Sequence, residues 1–137
     1  MPVVTHVVAT TMSDRPVWQP SDEHPITVAP TGAHVTVRVG GDVVAETDRA
    51  LTLREASYPP VQYIPLADVD AARLRPSDTH TYCPYKGDAG YYHVVTSAGA
   101  TVEDAIWTYA EPYPAVADIA GHVAFYPDKA EIVVARA

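Results

Sequence analysis

A chain of 137 residues, 47% hydrophobic and 19% charged, is the length of one domain and can bury a single core. Its formal charge of −8, with nine Lys and Arg scattered along it, excludes the clustered cations that phosphate neutralisation needs, so neither nucleic acid nor an anionic membrane is an expected partner. The single cysteine excludes an internal disulfide and a Cys-rich zinc cage, and it makes a reducing cytoplasm the expected location.

The stretch from Met1 to Thr11 has neither a basic leader nor a long apolar run, so no signal peptide is expected. No window approaches the ~18 uninterrupted apolar residues of a membrane span. Residues 1–23 read as an N-terminal arm, because Pro16 and Pro20 break any helix in the polar stretch Met12 to His24. Val3, Val4, Val7 and Val8 could lie against the body as an edge strand. Residues 24–137 read as a single β-rich domain. Ile26-Thr27-Val28 leads into the turn Pro30-Thr31-Gly32, and Val35, Val37 and Val39 then alternate with Thr36 and Arg38. That is the period of a half-buried strand. Gly40-Gly41-Asp42 supplies a tight hairpin turn, and Val43-Val44-Ala45 returns antiparallel. Leu51, Leu53 and Glu55 share one face of the next strand, with Thr52 and Arg54 on the other.

Tyr58 to Pro65 is extended, since each proline pushes the residue before it out of the helical region. Asp68 to Leu74 is predicted as a short helix stopped before Pro76. Tyr91 to Val95 reads as a strand and Ser97-Ala98-Gly99 as a turn; Val102 to Trp107 is too short to tell helix from strand. Pro114 to Ile119 suggests one helical turn with proline at its start. Val123 to Tyr126 and Ile132 to Val134 are predicted to close the chain as a hairpin over Pro127-Asp128-Lys129. The fold class is therefore mainly β, with antiparallel strands in a curved sheet or barrel-like arrangement and one to three short helices.

The chemistry concentrates in residues 81–92, which hold the single cysteine, Lys86 and four of the nine tyrosines. Cys83 is a candidate nucleophile, because only the thiolate attacks and a cation such as Lys86, three residues on, favours it. Its alternative is a small buried hydrophobe. Lys86 could hold an anion as a point charge, with Arg54 or Arg49 as a second hand. Equally, it could pair with Asp88 and reach water beside Tyr85. The order Lys86-Gly87-Asp88-Ala89-Gly90 lacks the glycine spacing and the following Ser or Thr of a phosphate-gripping loop. Cys83, His80, His93 and His122 show none of the usual zinc-ligand spacings, so no metal and no cofactor are expected.

Tyrosine stands where a core would favour Phe, which occurs once. A hydroxyl needs a partner or water, so such a bias suits half-wet pockets. The expected pocket is aromatic and tolerant of anions, lined by Arg54, Tyr63, Tyr85, Tyr91, Tyr92, Trp107 and Tyr109, with Cys83 and Lys86 as tentative catalytic residues. Asp68, Asp70 and Asp104 are read as helix-start residues.

The segments 24–27, 41–45, 50–56, 58–65, Cys83 to Ala89, Trp107-Thr108-Tyr109, Pro112 to Val116 and His122 to Pro127 occur in an order that resembles the domain of unknown function 427 family. The resemblance runs from about residue 24 to 134. It implies a compact, mostly β, β-tent-like fold in mainly bacterial proteins, sometimes labelled nucleotidyltransferase-like. This chain lacks the glycine-serine loop and paired aspartates that such a label calls for, and it carries Gly90 where the family tends to carry Ser. The resemblance keeps Cys83 and Lys86 as site candidates. Three functions stay open: a small-molecule-binding domain, an enzyme using the Cys83 thiol or a nucleotidyltransferase-like activity, and a structural or partner-binding module. Homo-oligomerisation is open as well.

Overall fold

The computed structural model describes residues 15–135. The valines proposed as an N-terminal edge strand lie outside them. Among the described residues, ten strands build two antiparallel sheets: β1 (Ile26–Pro30), β2 (His34–Val39), β3 (Asp42–Thr47), β4 (Leu51–Glu55), β5 (Val61–Pro65), β6 (Leu74–Cys83), β7 (Gly87–Val95), β8 (Thr101–Thr108), β9 (His122–Phe125) and β10 (Glu131–Ala135). The larger sheet has the order β1-β4-β5-β9-β8-β7-β6, and the smaller β10-β2-β3. The larger sheet is open, with β1 and β6 at its edges, so the curved-sheet form of the expectation holds and closure into a barrel does not. Among the described residues no helix is long and apolar enough to cross a membrane.

Strand alternation divides the apolar residues between the two faces of the large sheet. Ile64, Val94, Ile106, Val123 and Phe125 meet Val35, Val37, Val39 and Val44 of the small sheet in one buried cluster. Leu53, Tyr63, Ala89, Tyr109 and Ala124 form a second cluster with Val116 and Ile119. Those last two belong to the 3-10 segment Pro114–Ile119, which opens on a proline and packs against β1.

Two predicted elements are corrected and one open reading is resolved. The helix expected over Asp68 to Leu74 is two single 3-10 turns, Leu66–Asp68 and Ala71–Arg73. Val69 is extended between them and bridges to Ala45 of β3, so tertiary pairing interrupts the local helical tendency. The ambiguous segment near Val102 is strand β8. β9 and β10 do not form a hairpin: β9 lies between β5 and β8, whereas β10 crosses to β2 of the other sheet. Val123 of β9 is buried at the centre of the large sheet, while Ile132 and Val134 of β10 pack on the core from the edge of the small sheet and Val133 is exposed.

One join in the large sheet is weak. β5 pairs with β9 only at Ile64↔Val123 and Pro65↔His122. Over Val61 to Tyr63, β5 stays on β4, while Ala124 and Phe125 stay on Trp107 and Ile106 of β8. The two halves of the sheet part there, and the candidate site lies at the split.

Candidate ligand pocket

The turn between β6 and β7 is tight. Lys86 N–H donates to the Cys83 carbonyl at 3.2 Å, and Gly87, at φ +109°, starts β7 opposite Cys83. The turn aims Lys86 inward, and the residue is only 7% exposed. Its Nζ donates to Glu55 Oε1 at 2.5 Å and lies 3.9 Å from Cys83 Sγ. Glu55 is the last residue of β4, on the same face as Leu53. Its other oxygen, Oε2, is 2.7 Å from His24 Nε2. Burial pushes the Glu55 carboxyl up, but the hydrogen bonds from Lys86 and His24 outweigh it and hold the group below the ordinary glutamate value.

His24 is fixed from outside by Tyr85, whose ring stacks on the imidazole with centroids 4.1 Å apart and planes 1° from parallel. The chain before His24 lies along the same turn. Trp18 N–H donates to the Pro84 carbonyl, the Trp18 ring meets Tyr85 edge-on at 5.4 Å, and Arg15 sits over Tyr82 while pairing with Asp88. The described part of the arm therefore holds the outer side of the site.

On the inner side lies a pocket of about 250 Å³ lined by Leu53, Glu55, Tyr58, Val61, Tyr63, Lys86, Tyr91, Trp107, Tyr109 and Tyr126. Trp107 Nε1–H donates to the Tyr63 hydroxyl at 3.1 Å and its ring tilts over Tyr126 at 4.5 Å; Tyr91 and Tyr126 lie parallel, 6.5 Å apart. Burial pushes the phenols of Tyr63, Tyr109 and Tyr126 well above the ordinary tyrosine value, so all three remain neutral hydroxyls. The wall is thus aromatic, with neutral hydroxyls and one ammonium–carboxylate pair.

Of the residues expected to line a pocket, Tyr63, Lys86, Tyr91, Trp107 and Tyr109 do so. Cys83 packs at the margin of the second cluster beside Lys86. Tyr85 is the outer cover of His24. Arg54 and Tyr92 are elsewhere: Arg54 is exposed on the opposite face of β4, beside Thr52 and Gln62, and Tyr92 packs on the small-sheet side. Both follow from strand alternation, which sends neighbours of Glu55 and Tyr91 to the other face. Lys86 pairs with Glu55 and not with Asp88, and Arg49 pairs with Asp68. Asp70 caps a 3-10 turn as read, but Asp104 is a strand residue.

Glu55, His24, Tyr58 and Tyr126 complete the site and were not singled out for it. Glu55 had a signal in the sequence: its period places it on the inward face beside Leu53, where a carboxylate needs a partner. Among the described residues no three His, Cys, Asp or Glu side chains gather as metal ligands.

Fold and site together define a mostly β, two-sheet domain with an aromatic pocket around a buried Lys–Glu pair. A family model described as Domain of unknown function (DUF427) matches residues 27–136, and the chain belongs to that family. No curated protein matches it.

Proposed function

We propose that this chain is a small-molecule-binding β domain whose pocket takes a neutral, hydrogen-bonding group. The observation that carries the reading is the Lys86 ammonium, held by Glu55 in the wall of a concave aromatic pocket. An ammonium has three donor hydrogens, so the bonds to Glu55 and to Cys83 Sγ leave one for an acceptor on a ligand. The pair has no net charge, which favours a carbonyl or hydroxyl over a full anion. Tyrosine and tryptophan rings supply apolar contact, and their hydroxyls and ring N–H supply orientation.

Phenol and benzoate are suitable probes, with the Trp107 indole N–H followed by NMR. Phenol should give a saturable shift that Lys86→Met weakens, and benzoate should bind less well. If neither probe moves Trp107, the reading fails.

A thiol enzyme is the second reading, supported by the 3.9 Å separation of Cys83 Sγ and Lys86 Nζ. It requires Cys83 to react with iodoacetamide at neutral pH faster than a model thiol. Labelling that needs denaturant would end it.

A further inference from the structure

The aromatic pocket has a neighbour on its far side. Tyr58, Val61 and Trp107 also line a second cavity of about 530 Å³, whose remaining walls are Pro59, Pro60, Gln62, Phe125, Pro127, Ile132 and Val134. The second cavity lies where β5 and β9 part and reaches β10 of the small sheet. Its walls carry no charged side chain, and Gln62 is their one amide. The first cavity holds Lys86, Glu55 and the tyrosine hydroxyls. A polar chamber and an apolar one therefore share three residues.

We infer that the two chambers are one site and that its ligand is amphipathic: a neutral hydroxyl or carbonyl head at Lys86 and Glu55, joined to an apolar body lying between the Pro59-Pro60 segment and β10. This rests on the proposed small-molecule function and adds the ligand's chemical class. Three observations support it. The shared walls set the two chambers side by side. Tyr58 stands at the junction and is 62% exposed, which leaves most of its surface available to a ligand. The two-pair ladder between β5 and β9 leaves the sheet parted along the line the apolar body would occupy.

The test is a titration with butanol, hexanol and octanol, again followed at the Trp107 indole. Affinity should rise about four-fold per added methylene, the increment for burying a CH₂ group. Pro60→Asp puts a charge on the exposed wall of the apolar chamber and should abolish the increment while phenol binding persists. Val134→Thr is nearly isosteric, guards against misfolding in the first variant, and should reduce the increment. An affinity flat with chain length, or no alkanol binding while phenol still binds, overturns the amphipathic inference and leaves the pocket reading standing. Octanoate binding more tightly than octanol overturns the neutral head. Failure of phenol as well as every alkanol removes both.

Discussion

Lys86 Nζ donates to Glu55 Oε1 at 2.5 Å across 31 positions of sequence, tying the β6–β7 turn to the end of β4. These elements lie far apart in the order of the large sheet. The contact therefore spans the site where hydrogen bonding between β5 and β9 gives out, and its two members should respond unequally to mutation. Glu55→Gln leaves a buried ammonium without a counter-charge, whereas Lys86→Met leaves Glu55 with His24. The first should lower stability to urea on the order of 2–4 kcal/mol, somewhat below the range for a fully enclosed pair because a cavity adjoins it. The second should cost less. The double change Lys86→Met/Glu55→Leu should recover most of the loss, and a double variant no better than Glu55→Gln would disprove the pairing argument.

Acid unfolding should report the same carboxylate. Glu55 has a folded-state pKa held below its unfolded value, so the folded chain binds fewer protons than the unfolded one in that window. Its contribution is present above the ordinary value of 4.5 and is lost as pH falls through the lower folded value. Glu55→Gln should therefore flatten the pH dependence of urea unfolding below about pH 4.5. The slope will not vanish. Asp42, Asp68 and Asp104 are also held low, chiefly by hydrogen bonds from Ser97, Thr47 and Ser77 respectively. An acid limb identical in wild type and variant would contradict the role given to Glu55.

Much of this site was legible in the sequence, residue by residue. The period of β4 put Leu53 and Glu55 on one face and Arg54 on the other, so placing Arg54 in the pocket contradicted the alternation itself. Tyr91 and Tyr92 obey the same rule, one in the pocket and one in the core. The edge strand β6 was missed because Arg75 to Thr81 is polar and contains Pro76, which strand patterns disfavour. At an edge, proline needs no ladder partner on its open side. The split between β5 and β9 had no local signal, because it depends on which strands become neighbours. For the same reason, Tyr58 and Tyr126 could be recognised as aromatic but not as pocket residues.

Gly87 should be the least replaceable residue of the turn. Its φ of +109° lies where side chains are strained, and a Cβ there would sit 3.4 Å from the Glu111 carbonyl oxygen and 3.9 Å from the Tyr113 ring. The neighbouring Lys86 carbonyl accepts from Tyr113 N–H, so the backbone has little room to yield. Gly87→Ala should cost about 1–3 kcal/mol and weaken phenol binding by displacing Lys86. Gly90→Ala is the control: it has open space, no positive φ, and an expected change within about 0.5 kcal/mol. Equal effects at the two glycines would refute the strain argument.

Asp104 offers a separable test of strain against hydrogen bonding, away from the pocket. It sits in β8 at φ +49°, next to register shifts in the β6–β7 and β7–β8 ladders. Its carboxylate accepts from Ser77 Oγ at 2.5 Å and Thr79 Oγ1 at 2.7 Å, and its N–H donates to His93 Nδ1 at 2.9 Å. Asp104 thus fastens three strands where their ladders slip, β6 through its carboxylate and β7 through its backbone N–H. Asp104→Ala loses the two accepted bonds and leaves a side chain in the left-handed region, so it should lower the urea midpoint. Asp104→Gly loses the same bonds but relieves the backbone, and its cost should be about half as large. Urea midpoints for the two variants decide the matter: equal losses would mean that the positive φ carries no strain and that the carboxylate bonds alone hold the bulges.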